Sequence, residues 1–456
     1  MSKTRLRIQS PAAISDVVNT SPPVAITPSI LSIRFIVFLV AHVPLAILMT
    51  KFEPIATVHV WATGAVALFI ALKTRRAEFL VYTCAYVAGS EVLWRMTDAH
   101  IFYEVSKYAI VAIAFIGLIR FHSSKGSYLP LLYFFLLLPS VIVSFWNLDL
   151  QSFKAAISFN LSGPLTFTFC ALFLSRLWLT ENDLKRVFLF VLTPIIGVCT
   201  LTLRSTLISS SIMFNTESNY VTSGGFGPNQ VSAVLGLGAL CCYLLFLVNQ
   251  GAGFKRNWFL VSGWLLLTVE SALTFSRGGL YLEMGAAGLA SFYLFRQKGL
   301  RLNVLILLAL LAIGVMIMLP LIDDFTGGKF SSRFSDLSTT GRNVLAIDDL
   351  KSWKENPTFG VGPGRSAYFR SLMPLSAHTE YTRLVAEHGL FGFVALLLLI
   401  FMMFQRWRHM EPSSKPLLAA ALGWAALYMA INATRIAAPS LLLALPFVTV
   451  LNYDRS

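Results

Sequence analysis

The sequence predicts an all-α fold, a polytopic transmembrane helical bundle of about 12–14 spans with a large external loop between late spans, and three observations predict it. Of 456 residues 56% are apolar and only 13% charged, with a mean hydropathy of +0.70. That leaves too little polar surface to cover a soluble globule. Apolar windows of about 20 residues, the length that crosses a hydrocarbon core, recur from near Leu31 to near Leu451. The cations alternate between the polar breaks: with a cytoplasmic N-terminus, the inside segments hold 20 Lys and Arg and the short outside loops only 6. This is the bias of the positive-inside rule, and a wrongly merged or split span would scramble it.

In chain order the windows fall near 31–50, 55–72, 77–94, 103–119, 128–146, 155–175, 187–203, 228–249, 257–275, 278–295, 302–320, 384–405, 416–433 and 437–451. Residues 1–30 mix Ser, Pro, Thr and basic residues without an apolar stretch and read as a disordered cytoplasmic tail. Residues 31–456 then form a single membrane domain whose N- and C-termini are both cytoplasmic. The net charge of +14 sits in short runs between spans, so it reports topology rather than nucleic-acid binding. The five cysteines fall within spans, without metal-ligand spacing, and read as small core residues.

Function concentrates where polar sequence is long enough to do something other than turn. Two external segments qualify, 204–227 and 321–383. In the second, Arg342 to Lys354 carries Val344, Leu345, Ile347, Leu350 and Trp353 at helical spacing, predicting an amphipathic helix on the membrane surface or over the bundle mouth. The run FGVGPG, Phe359 to Gly364, breaks it.

Three constellations carry candidate chemistry. FSRGG, Phe275 to Gly279, fixes Arg277 at the external boundary, where a guanidinium offers paired donors for phosphate; a snorkelling interfacial arginine is the alternative. GFGPNQ, Gly224 to Gln230, places Asn229 in the first turn of a span, where backbone N–H groups can bind an anion or simply begin a helix. SAHTEYTRLVAEHGLFG, Ser376 to Gly392, sets His378 beside Glu380 and Tyr381, an imidazole able to take a proton from a sugar hydroxyl or merely to cap locally. Arg204, Arg342 and Arg435 (in NATR) are further boundary cations, and Arg95 is expected to pair with Glu91 or Asp98. No metal site is evident; the adjacent Asp323 and Asp324 read as solvated.

Taken in order over about 205–405, GFGPNQ, FSRGG, GR opening a helix, GVGPG and AHTEYTRLVAEHGLFG resemble the conserved region of the O-antigen ligase and O-antigen polymerase family. The resemblance implies a metal-independent, inverting membrane glycosyltransferase without cofactors, in the bacterial inner membrane with its site on the periplasmic side. The donor would be an undecaprenyl-diphosphate-linked glycan and the acceptor a sugar hydroxyl on a lipid A core or a growing glycan; membrane lipids are the remaining partners and nucleic acid is not one. It assigns His378 as catalytic base and Arg277 and Arg342 to the diphosphate. Arg204, matched to no motif, is expected beside them as an external boundary cation, and Glu380, Tyr381, Asn229 and Arg435 are expected to support the site. Thr379 stands where the family often has Asn. A glycan transporter or flippase is the competing reading from span number and boundary charge, and the lack of a visible internal repeat speaks against it.

Overall fold

In lipid a chain satisfies its backbone only by closing its own hydrogen bonds, so long apolar stretches become helices. The computed structural model of the chain describes residues 31–121, 126–209, 212–248, 254–297, 299–336, 341–371 and 379–451. The predicted tail and His378 lie outside them. Along the chain run α1 (Ile33–Lys51, hinged at Ala41), α2 (Glu53–Lys73), α3 (Glu78–Met96), α4 (Val105–Arg120), α5 (Leu129–Asn147, broken near Ser140), α6 (Leu150–Leu174) and α7 (Glu181–Ile208). There follow α8 (Pro228–Val248), α9 (Phe254–Leu273), α10 (Arg277–Phe295), α11 (Arg301–Phe325), α12 (Lys329–Ser335), α13 (Arg342–Glu355), α14 (Glu380–His409), α15 (Lys415–Asn432) and α16 (Ala438–Ala444). Among the described residues eight helices are long and apolar enough to cross a membrane, and the chain is an all-α polytopic bundle.

The centre is α8, buried along nearly its whole length and packed against α9 and α10. Its approach to α10 is a backbone contact: a Cβ on Gly236 would lie 2.5 Å from the Gly279 carbonyl oxygen, and one on Gly279 would lie 2.2 Å from that of Ser232. Small residues here let two helices close to within hydrogen-bonding distance. By contrast α11 buries only Val304 and Leu307 and turns the rest of its apolar surface outward.

One predicted element takes a different form. The window 437–451 is not one long helix but the short α16, a 3-10 turn over Leu445–Phe447, and strand β2 (Thr449–Leu451) parallel to β1 (Trp178–Thr180). Pro439 and Pro446 bracket the helix, and Ala438 to Phe447 is wholly buried by its neighbours, so no lipid-facing helix is needed there. The helix over 342–354 exists as α13, but its buried face is Leu345, Asp348, Asp349 and Ser352, while Val344, Ile347 and Leu350 are exposed. Ion pairs and hydrogen bonds to the two aspartates turn the polar side inward.

Candidate functional site: an arginine cluster at one end of the bundle

The FSRGG turn owes its shape to three contacts. Phe275 has φ of 58°, a left-handed conformation that a side chain adopts only under constraint. Its fully buried ring stacks on Phe214 at 5.2 Å and meets Phe330 edge-on at 5.9 Å. Its carbonyl accepts from Nε of Arg333 at 3.1 Å. One hydroxyl, Ser232 Oγ, donates to the Ser276 carbonyl at 2.8 Å and accepts from the Gly279 N–H at 3.0 Å, while Ser276 Oγ donates to Asn229 Oδ1 at 2.8 Å. Asn229 therefore holds the turn, and the turn places Arg277 at the first residue of α10, where it donates to the Asp336 carbonyl.

Arg342 opens α13 just after Gly341, whose φ is 77°. Burial lowers the Arg342 guanidinium below its ordinary value, and the positive charges of Arg277, Arg333 and Arg435 lower it further. Burial and then Arg277 act in the same direction on Arg333. Three cations thus act on Arg342 at once, an arrangement that an anion with several oxygens would relieve.

Behind this cluster lies a scaffold of paired charges. Arg383 on α14 donates to Glu380 (2.5 Å from Nη2 and 3.0 Å from Nε), to Glu387 (2.8 Å) and to the Asn160 side chain (2.8 Å), and all four residues are buried. Arg370 grips Asp349 through Nε at 3.1 Å and Nη2 at 2.7 Å, and Thr382 donates to the other oxygen of that carboxylate at 2.8 Å. These bonds tie α13, and with it Arg342, to residues 366–371 and to α14. Against this scaffold opens a cavity of about 80 Å³ bordered by Asn160, Arg370, Glu380, Glu387, Thr434 and Arg435; of Arg342 and the three cations acting on it, only Arg435 lines it.

α14 is not straight. Gly389 has φ of 59° and ψ of −137°, and the chain bends back so sharply that a Cβ on Gly392 would lie 1.9 Å from the Leu384 carbonyl oxygen. The carbonyls freed at this break are not left bare: Val361 N–H donates to Ala386 O at 2.9 Å and Gly362 N–H to Glu387 O at 3.0 Å. The GVGPG run is the cap of a broken helix, and Gly360, with φ of 69°, lets the two backbones meet, since a Cβ there would lie 2.5 Å from Ala386 O.

The remaining expected residues separate clearly. Tyr381 donates its hydroxyl to the Ala426 carbonyl at 2.8 Å, a packing contact with α15. Thr379 accepts from the Tyr381 N–H at 3.3 Å, so its hydroxyl caps α14. His388 has Nδ1 at 2.5 Å from Ser140 Oγ and 3.0 Å from Leu137 O, at the break in α5, a structural position. Arg204 donates to Thr50 at 3.2 Å in a neighbouring cleft with Met96 and Gly224, and is not among the guanidiniums that act on Arg342. Arg95 pairs with Glu91 at 2.5 Å, as expected. Arg333, Asp349 and Arg370 escaped the expectations from sequence; for the two arginines the only signal was a surplus of arginine over 321–383, and Asp349 carried none.

Fold and site together define a polytopic helical membrane protein with a cluster of guanidiniums at one end of its bundle. Residues 260–397 match the family model described as O-antigen ligase, and this segment holds Arg277, Arg333, Arg342, Arg370 and Arg383. The chain carries an O-antigen ligase family domain, and the activity of that family, glycosyl transfer at a membrane of the ligase or polymerase type, is its general function. No curated protein matches the chain.

Proposed function

We propose that the chain transfers a glycan from undecaprenyl diphosphate to an acceptor sugar hydroxyl on the periplasmic side of the bacterial inner membrane, without a metal ion. The observation that carries this reading is the convergence of Arg277, Arg333 and Arg435 on Arg342. Cleaving an anomeric carbon from a diphosphate builds negative charge on the leaving group, and fixed guanidiniums can stabilise that charge with no reorganisation at the moment of reaction. Arg277 and Arg342 take the diphosphate in this scheme, Arg333 and Arg435 adding charge beside them.

His378 is the proposed base. Glu380, two positions later in the sequence, borders the cavity next to Arg435. The His378 imidazole would take the acceptor proton as the hydroxyl attacks opposite the departing diphosphate, giving inversion. Arg204, in its separate cleft, is left out of the diphosphate site.

The acceptor decides between ligase and polymerase. Cells lacking the protein should accumulate unattached long glycan on the lipid carrier if it is a ligase, and single repeat units on the acceptor if it is a polymerase. Unchanged surface glycan in such cells would count against both.

A further inference from the structure

The turn joining α15 to α16, Ala433–Ala437, is gripped at its backbone by buried charge. Glu380 accepts from the Thr434 N–H at 3.2 Å, Arg95 donates to the Arg435 carbonyl at 3.2 Å, and Glu91 accepts from the Ala437 N–H at 2.5 Å. Glu91 and Arg95 are themselves paired, and the Arg95 guanidinium lies 3.6 Å from the centre of the Tyr103 ring. A third helix presses on the same turn, since a Cβ on Gly163 of α6 would lie 2.4 Å from Thr434 Oγ1. Within this grip Ala433 has φ of 53° and ψ of −164°, a conformation reserved almost entirely for glycine. Strain of this kind persists only where the surroundings over-determine the backbone, and it gathers where a side chain must be aimed. The side chain this turn presents is Arg435, which borders the cavity and adds its charge to the field at Arg342.

We propose that the 433–437 turn is a preorganised mount for Arg435 as a ligand of the donor's diphosphate, and that Glu91, Arg95 and Glu380 are its positioning residues. The inference rests on reading the arginine cluster as a diphosphate site and adds to it a fixed cation delivered by the α15–α16 turn. Glu91 and Arg95 act on the peptide units of the turn from outside the cavity lining, so their effect must run through Arg435, whereas Glu380 borders the cavity as well.

That requirement is the test. Binding of inorganic pyrophosphate is measured by titration calorimetry on the full-length protein in nanodiscs, with thermal unfolding followed in parallel. Arg435→Ala should weaken binding by roughly 10-fold or more, as expected for losing a charged hydrogen bond, and Arg435→Lys should restore part of it. Glu91→Gln and Arg95→Gln should each weaken binding in the wild-type background and have no further effect in the Arg435→Ala background. Should Glu91→Gln fail to fold, Arg95→Gln tests the same coupling through its bond to the Arg435 carbonyl. An effect of equal size with and without Arg435 would overturn the proposal. If Arg277→Ala and Arg342→Ala weaken binding while Arg435→Ala does not, the turn proposal falls and the cluster stands; full affinity in all three would sink the cluster reading itself.

Discussion

Replacing Arg342 separates a binding site from a structural one. Its electrostatic neighbours are cations, Arg277, Arg333 and Arg435, and each of them disfavours its charge. Arg342→Gln should therefore relieve repulsion in the ligand-free protein and leave the melting temperature unchanged or raised. Catalysis should suffer in the opposite sense. A preorganised donor aimed at developing oxyanion charge contributes about 2.7–4 kcal/mol, so its loss should slow transfer by about 10²–10³-fold. Arg342→Lys keeps the charge but not the planar pair of donors, and should lie between the two. The assay is steady-state release of lipid diphosphate from a synthetic donor in nanodiscs, alongside unfolding by tryptophan fluorescence. A variant that loses rate only in proportion to lost stability would refute the reasoning, as would one that keeps the full rate.

Three further outcomes follow from the scaffold. Arg383→Met strands Glu380 and Glu387 without their shared partner; breaking a buried pair costs about 3–5 kcal/mol, so this variant should express poorly or melt far below wild type, and normal melting would contradict it. Gly279→Ala would push a methyl to 2.2 Å from the Ser232 carbonyl oxygen, an overpacking cost of about 1–3 kcal/mol that should appear both in melting and, through the displaced FSRGG turn, in transfer rate. The hydroxyl and N–H of Ser371 hold the Asp348 carboxyl below its ordinary value of 3.8. Its contribution to stability is complete above that value and disappears as pH falls through the lower folded one; Asp348→Asn should flatten the acid limb of melting temperature against pH, and an unaltered limb would count against the assignment.

Hydropathy and charge alternation made the helical bundle legible because lipid leaves the backbone no other solution, and the ordered motifs pointed to Arg277 and Arg342. What stayed hidden depends on distance in the chain or on single backbone angles. The run AEHGLFG reads as continuous helix by periodicity, yet Gly389 reverses it. Arg383 looks like a surface cation of a helix start until Asn160, far back in α6, is brought to 2.8 Å from it. Apolar spacing located α13 but carries no information about Asp348 and Asp349 finding partners at Ser371 and Arg370. Arg333 carried no motif; only the strained Phe275 carbonyl it holds explains its place.

The central claim is that converging guanidiniums stabilise a departing lipid diphosphate. Purified protein incubated with undecaprenyl-diphosphate-linked glycan and an acceptor glycan should release undecaprenyl diphosphate as the glycan changes hands, and the Arg277→Ala, Arg342→Ala double variant should release almost none while remaining folded. Release by that folded double variant at the wild-type rate, or no release by wild type with any of several donors and acceptors, would contradict it.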